Sequence, residues 1–178
     1  AFNQTEEKAY EAVIKAIQDL KASVRYFRQD DELFNNYRID PDRIYVGGVS
    51  AGAIASLNAV YLNEIDEALY LVTQDHLEEL GGLEGESGNP GYESNVHGVV
   101  NLCGAIGHYD WISESDVPIV SMHGDEDTVV PYSDNLITLF GLNVQVYGSY
   151  IINETMLELG NYSSLYTYAG QDHIPFTA

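Results

Sequence analysis

Gly48-Val49-Ser50-Ala51-Gly52 is a G-x-S-x-G sequence between a short apolar run, Ile44-Tyr45-Val46, and a small apolar stretch from Ala51 to Leu62. That context predicts a strand, a very tight turn and a helix, with the serine hydroxyl exposed on a strained backbone. Gly48 and Gly52 are expected to remove two Cβ atoms that would clash there. The helix aims its positive end at the same spot, so the backbone N–H of Ala51 is placed to stabilise an oxyanion. A serine hydroxyl is a weak nucleophile and needs a base that a third group orients. Two later segments offer both. His123-Gly124-Asp125-Glu126-Asp127-Thr128-Val129-Val130-Pro131 follows the apolar run Val117 to Met122, and Gly170-Gln171-Asp172-His173 follows the strand-like Leu165 to Tyr168. Each thus lies just beyond a predicted strand, the end where open α/β sheets build their sites. Serine, acid and histidine in that order are the parts of an acyl-transfer machine. Within the acid loop, both Asp125 and Asp127 are candidates to orient the histidine.

The elements that position these residues are legible in the hydrophobic pattern. Ala9, Val13, Ala16, Ile17, Leu20, Val24 and Phe27 recur every three or four residues and predict an amphipathic helix from residue 5 to about 28. Asn3 or Thr5 suits its N-cap, and Glu6 and Glu7 suit its first turn. Asp40-Pro41-Asp42 reads as a turn. Further apolar runs at 96–102, 117–122 and 165–168 predict strands, and 149–159 predicts a helix. Strands alternating with helices predict an α/β fold with a mostly parallel sheet and flanking helices. Residues 63–95 have a different texture, with a helical turn at 77–80 and then a run rich in glycine. They are expected to form a long loop or lid-like insertion in a single domain.

Composition narrows the function. All seven Lys and Arg lie within the first 43 residues, whereas residues 44–178 hold 19 Asp and Glu and no Lys or Arg. A formal charge of −21 excludes nucleic acid and anionic membranes as partners, because both are held by clustered cations. No apolar run reaches the roughly 18 residues of a membrane span. The lone Cys103 forms no internal disulfide and reads as a small buried filler. Asp125-Glu126-Asp127 and Glu84-x-Glu86 have the oxygen ligands that calcium favours, but neither has a recognised loop spacing. The chemistry asks for no cofactor and no metal. His76, His97 and His108 have no partner pattern, and His123 reads as part of a structural His-Gly turn. Tyr109 and Trp111 follow a strand end, where they either line a substrate pocket or pack.

The run from Arg43 to Ala53 is similar to the nucleophile strand and elbow of bacterial α/β-hydrolases of the carboxylesterase type, including feruloyl esterases and polyester depolymerases. His123-Gly124-x-x-Asp127-x-x-Val130-Pro131-Tyr132 resembles the acid loop of that family. The resemblance spans about residues 16–176 and implies Ser50 as nucleophile, Asp127 as acid and His173 as base. It implies a carboxylesterase acting on neutral esters through an acyl-enzyme. A serine peptidase of the prolyl-oligopeptidase type shares the order of the three residues, and a non-catalytic binding module is the reading from another class.

The resemblance also implies strands ahead of the nucleophile strand and an early His-Gly-Gly type loop that donates a second hydrogen bond to the oxyanion. Nothing before Ile44 fits either one. The chain, starting at Ala1 rather than Met, is expected to lack the N-terminal strands of the fold, as a processed or cleaved product would. The segment Ile44–Gly47 should then be an unpaired edge that a companion N-terminal fragment or a second copy covers. A strongly acidic chain of this kind suits a secreted or extracellular, saline setting.

Overall fold

The computed structural model describes residues 4–139 and 141–177. Asn3, offered above as an N-cap, lies outside the described residues, as do the side chains of Thr5, Glu6 and Glu7. The first helix, α1 (Gln4–Leu33), extends past the predicted end at residue 28. Its buried stripe includes Ala9, Ile14, Ile17 and Val24, the spacing that the sequence pattern gives. The strand β1 (Val46–Val49) follows, then α2 (Ala51–Tyr61). Two short helices, α3 (Ile65–Ala68) and α4 (Gln74–Glu79), occupy the next segment. After them come β2 (Val99–Leu102), β3 (Ala105–Ile106) and β4 (Ile119–Gly124). The chain continues through β5 (Asp134–Leu139), β6 (Leu142–Gly148), α5 (Ser149–Glu158) and β7 (Ser163–Tyr168).

Four strands form one parallel sheet in the order β1-β2-β4-β7. The register pairs Val46 with Val99, Val99 with Ile119, and Ile119 with Ser163. This is the mostly parallel α/β architecture that the sequence predicts. In a parallel sheet all four strands end on the same side, so the loops after β1, β4 and β7 meet there. The larger of two core clusters includes Ile14, Ile17, Leu57, Tyr61, Ile119, Ile152 and Met156. Trp111 is buried in this core and packs its ring against Gly107, so it has a packing role.

A second, antiparallel sheet lies outside the elements that the hydrophobic pattern predicts. Its order is β3-β6-β5, with Leu139 opposite Leu142 at the hairpin end. Val130, Val146 and Ala105 bury a small separate cluster beneath it.

Side chains of α1 hold down residues 81–95. Arg25, only 3% exposed, donates to the Glu84 carboxylate at 2.8 Å and to the carbonyls of Glu84, Ser87 and Gly88. Lys21 reaches the other Glu84 oxygen at 2.8 Å, and Gln18 donates to the carbonyls of Leu80 and Gly82. The glycine-rich run thus has its backbone carbonyls satisfied by a helix that lies about 60 residues earlier in the chain. No described helix is long and apolar enough to cross a membrane.

Candidate active site

Ser50 follows β1 directly and caps α2 with φ 54 and ψ −119. That conformation is one that residues with a Cβ rarely adopt, and it persists because its surroundings impose it. The Ser50 N–H donates to the Leu102 carbonyl at 2.8 Å, and the Ile54 N–H closes on the Ser50 carbonyl at 3.0 Å. The Ser50 hydroxyl makes no capping bond, which leaves it available. The two glycines of the motif differ. A Cβ at Gly48 would overlap the backbone of Gly52 and Ala53, whereas a Cβ at Gly52 meets nothing within 4 Å. The expectation that both glycines relieve a clash is therefore corrected: inside this chain only Gly48 does.

The acid loop and the histidine loop are laced together. Asp125 accepts the Gly170 N–H at 2.6 Å, and Asp172 accepts the Thr128 N–H at 2.8 Å and its hydroxyl at 3.0 Å. Bonds from the backbone of Thr128 and His173 hold the Asp172 carboxyl below its ordinary range. Gly124 is needed here, since a Cβ would run into the carbonyls of Gln171 and Asp172. Ile174, next to His173, takes φ 57, a costly conformation for a β-branched residue.

This lacing brings the three candidates together. His173 Nε2 lies 2.9 Å from Ser50 Oγ, and His173 Nδ1 lies 2.6 Å from Asp127 Oδ2. The Asp127 side chain is fully buried, and the His173 side chain is 14% exposed. The other oxygen, Asp127 Oδ1, accepts the N–H groups of Val129 at 2.8 Å and Val130 at 2.9 Å. Asp125, the alternative, is spent on Gly170. Ala51, as the first residue of α2, has an N–H without an intrahelical acceptor. Such a line holds the imidazole with Nδ1 protonated and Nε2 free to accept the serine proton.

His123 has a larger place in this arrangement than a structural turn. Its Nε2 lies 3.1 Å from Asp127 Oδ2 and 3.1 Å from the Val130 carbonyl. Both are acceptors, so Nε2 carries the proton and Nδ1 accepts the Ser149 hydroxyl at 2.7 Å. Ser149 Oγ in turn accepts from Asn101 Nδ2 at 2.9 Å, while Asn101 Oδ1 takes the Gly104 N–H. Asn101, His123 and Ser149 are buried. Burial pushes the His123 imidazole below its ordinary value, against the pull of the Val130 carbonyl and the Asp127 carboxylate. The available signal in the sequence was polar: Asn101 interrupts the otherwise apolar Val99–Leu102, and a buried polar residue needs partners.

The remaining histidines lie elsewhere. His76 sits between Glu11 and Glu79, His97 Nδ1 accepts the Ile44 N–H, and His108 stacks on Tyr70 and Tyr109. Ligand atoms of Cys103, His123 and Asp127 lie within 4.8 Å of one another. Both Asp127 oxygens already have partners, and burial pushes the Cys103 thiol up and away from the thiolate a metal would need.

Neither a family model nor a curated protein matches the chain. Solved structures do. Esterase 2 of Thermogutta terrifontis phosphoramylated by tabun is similar at a TM-score of 0.65 and 18% identity, over 92% of this chain and 56% of that one. The same esterase phosphorylated by paraoxon gives 0.63, 18%, 91% and 54%. A truncated carbohydrate esterase from gut microbiota gives 0.65, 22%, 88% and 60%. The chain thus spans a little over half the length of these structures, and over that length its fold is the α/β fold of these esterases.

Proposed function

We propose that this chain carries the nucleophile, base and acid of a serine carboxylesterase that cleaves neutral carboxylic esters through an acyl-enzyme. The observation that carries the reading is the unbroken line Ser50 Oγ to His173 Nε2 at 2.9 Å and His173 Nδ1 to Asp127 Oδ2 at 2.6 Å. Ser50 Oγ attacks the ester carbonyl as its proton passes to His173 Nε2, and Asp127 stabilises the imidazolium. The Ala51 N–H holds the tetrahedral oxyanion. His173 then gives the proton to the departing alcohol. Water repeats the sequence on the acyl-Ser50, which releases the acid and restores the serine.

The intact line favours an enzyme over a binding module. A peptidase of the prolyl-oligopeptidase type would need an acidic pocket for a substrate amine, which the loop from Leu77 to Tyr92 would have to supply. Within that loop Glu84 is already paired with Lys21 and Arg25. The full reaction needs a second oxyanion donor, whose loss costs about 10² to 10³ in rate. We assign that donor to a segment N-terminal in the fold, or to a second copy, that adds a strand beside β1, which among the described residues is paired only with β2. A secreted or extracellular setting is part of the same proposal, supported by the acidic stretch that has no Lys or Arg.

Esterase 2 of T. terrifontis is phosphorylated by paraoxon, which recommends that probe. Paraoxon should label Ser50, and Ser50→Ala should abolish labelling. Labelling that survives the substitution rejects Ser50 as the nucleophile.

A further inference from the structure

An apolar cleft of about 230 Å³ opens beside the N-terminus of α2. One wall is the α2 stripe of Ala51, Ile54 and Ala55, and the facing wall is Val13 and Ala16 of α1. The β5–β6 hairpin closes it with Ile137 and Val144. We propose that this cleft holds the acyl chain of the substrate, and that the chain is an unbranched, neutral aliphatic one. The proposal rests on the esterase reading above and adds to it the substrate class.

Position is the first argument. Ala51 is among the residues that line the cleft and its N–H is the proposed oxyanion donor, so a carbonyl held there has its acyl carbons near the cleft. Chemistry is the second. Asn58 is the polar amide in the lining, and its groups are spent: Nδ2 donates to the Ile54 carbonyl at 2.7 Å, and Oδ1 accepts the Gly107 N–H at 3.1 Å. The one other polar side chain in the lining is Tyr10, so the several hydroxyls of a sugar would outnumber their partners there, at a cost that alkyl carbons do not incur. Space is the third. Alanines rather than larger side chains leave the room, and 230 Å³ is about one and a half times the ~150 Å³ apolar cavity that takes up a benzene ring. A chain of roughly eight carbons is of that size. Charge is the fourth. The lining holds no Lys or Arg, so a free fatty-acid anion finds no counter-charge, whereas its neutral ester needs none. The carboxylate product is therefore less welcome than the substrate.

The test pairs turnover with a binding readout that needs no turnover. Across p-nitrophenyl esters from acetate to dodecanoate, kcat/KM should climb about fourfold per methylene up to roughly eight carbons. Ala16→Phe and Ala55→Leu, which fill the cleft from opposite walls, should each cut the octanoate-to-acetate ratio at least tenfold. In Ser50→Ala, 1-octanol should raise the melting temperature more than 1-butanol does, and adding Ala16→Phe should remove the difference. A flat chain-length profile, or a ratio unchanged in both folded variants, overturns the proposal. Paraoxon labelling of Ser50 without any octanol effect overturns the cleft while leaving the esterase reading standing. An octanol effect without labelling keeps the ligand class and rejects the esterase. A dimer that Ala16→Phe dissociates, with no dependence on chain length, also overturns it by assigning the cleft to a second copy.

Discussion

His123 and His173 face each other across one oxygen, Asp127 Oδ2, at 3.1 Å and 2.6 Å. The carboxylate is fixed from two sides by imidazoles and from a third by the N–H groups of Val129 and Val130. Its position therefore does not depend on His173, the ring that it has to orient.

His123→Leu keeps the volume but removes the acceptor of the Ser149 O–H and one of the two imidazoles on Asp127 Oδ2 in a dry site. Such losses cost about 1–3 kcal/mol each. Urea denaturation should show a loss of about 3 kcal/mol, and any esterase activity should fall mainly in kcat. His123→Gln, whose amide can still donate to Asp127, should recover part of both. Equal behaviour of the two variants would reduce His123 to a space-filler.

Stability should fall as the solution is acidified. Because burial depresses the His123 pKa, the unfolded chain binds this proton near pH 6.5 while the native chain still refuses it. The native state binds fewer protons in that window, so its stability drops as pH falls below about 6.5. Burial works to raise the Glu84 carboxyl, but bonds from Lys21 and Ser94 and the charges of Lys21 and Arg25 outweigh it and leave it lowered. Its contribution is present above about pH 4.3 and is lost as pH falls further. Asp116 and Glu67, raised by burial, oppose this below neutrality. The difference between wild type and His123→Gln isolates the histidine. Urea midpoints that do not converge between pH 7.5 and 5 would contradict this account.

The elbow glycines should behave unequally. Gly48→Ala forces a Cβ into the first turn of α2 and should cost several kcal/mol or prevent folding. Gly52→Ala has open space and gains helix propensity, worth up to about 1 kcal/mol. Melting temperatures of the two variants decide the matter, and similar losses would show that Gly52 is crowded in solution.

Replacing Arg25 by Met removes the charge that gathers Glu84 and three carbonyls. Breaking a buried pair of this kind costs about 3–5 kcal/mol, less here because Glu84 is 55% exposed. Limited proteolysis should move to residues 81–95, with cleavage there at least tenfold faster than in wild type.

Added salt should stabilise the protein. It screens the repulsion among 28 acidic residues over a distance of about 10 Å at 0.1 M, at the expense of the few ion pairs of α1. A rise of about 5 °C in melting temperature between 10 mM and 1 M NaCl is expected from roughly 2 kcal/mol. No rise would count against a saline setting.

Several parts of this structure are readable from residue types alone. The strand before Asp127 is the apolar run that the sequence shows, whereas β1 (Val46–Val49) starts where the run Ile44–Val46 ends and β7 (Ser163–Tyr168) mixes polar and apolar residues. The loops carry residues whose chemistry is complementary. The long 63–95 segment is harder, because its order comes from Gln18, Lys21 and Arg25 of a distant helix rather than from its own glycines. The β5–β6 hairpin shows a weak alternation, Val144 and Val146 against Asn143 and Gln145, that half-exposed strands share with loops. His123 bonding Asp127 depends on how β4 ends above Ser149, a tertiary fact with no local signature.

Ser50 and His173 are 123 residues apart in the chain, and Asp127 and His173 are 46 apart. No hairpin brings them near one another: β1 meets β2 only across the whole 63–95 segment, and β7 meets β4 only after the second sheet. Parallel pairings of such long range form slowly. A competent serine should therefore emerge late in refolding, after the helices have formed. Labelling of Ser50 in time-resolved samples would serve as a clock for the final assembly of the sheet.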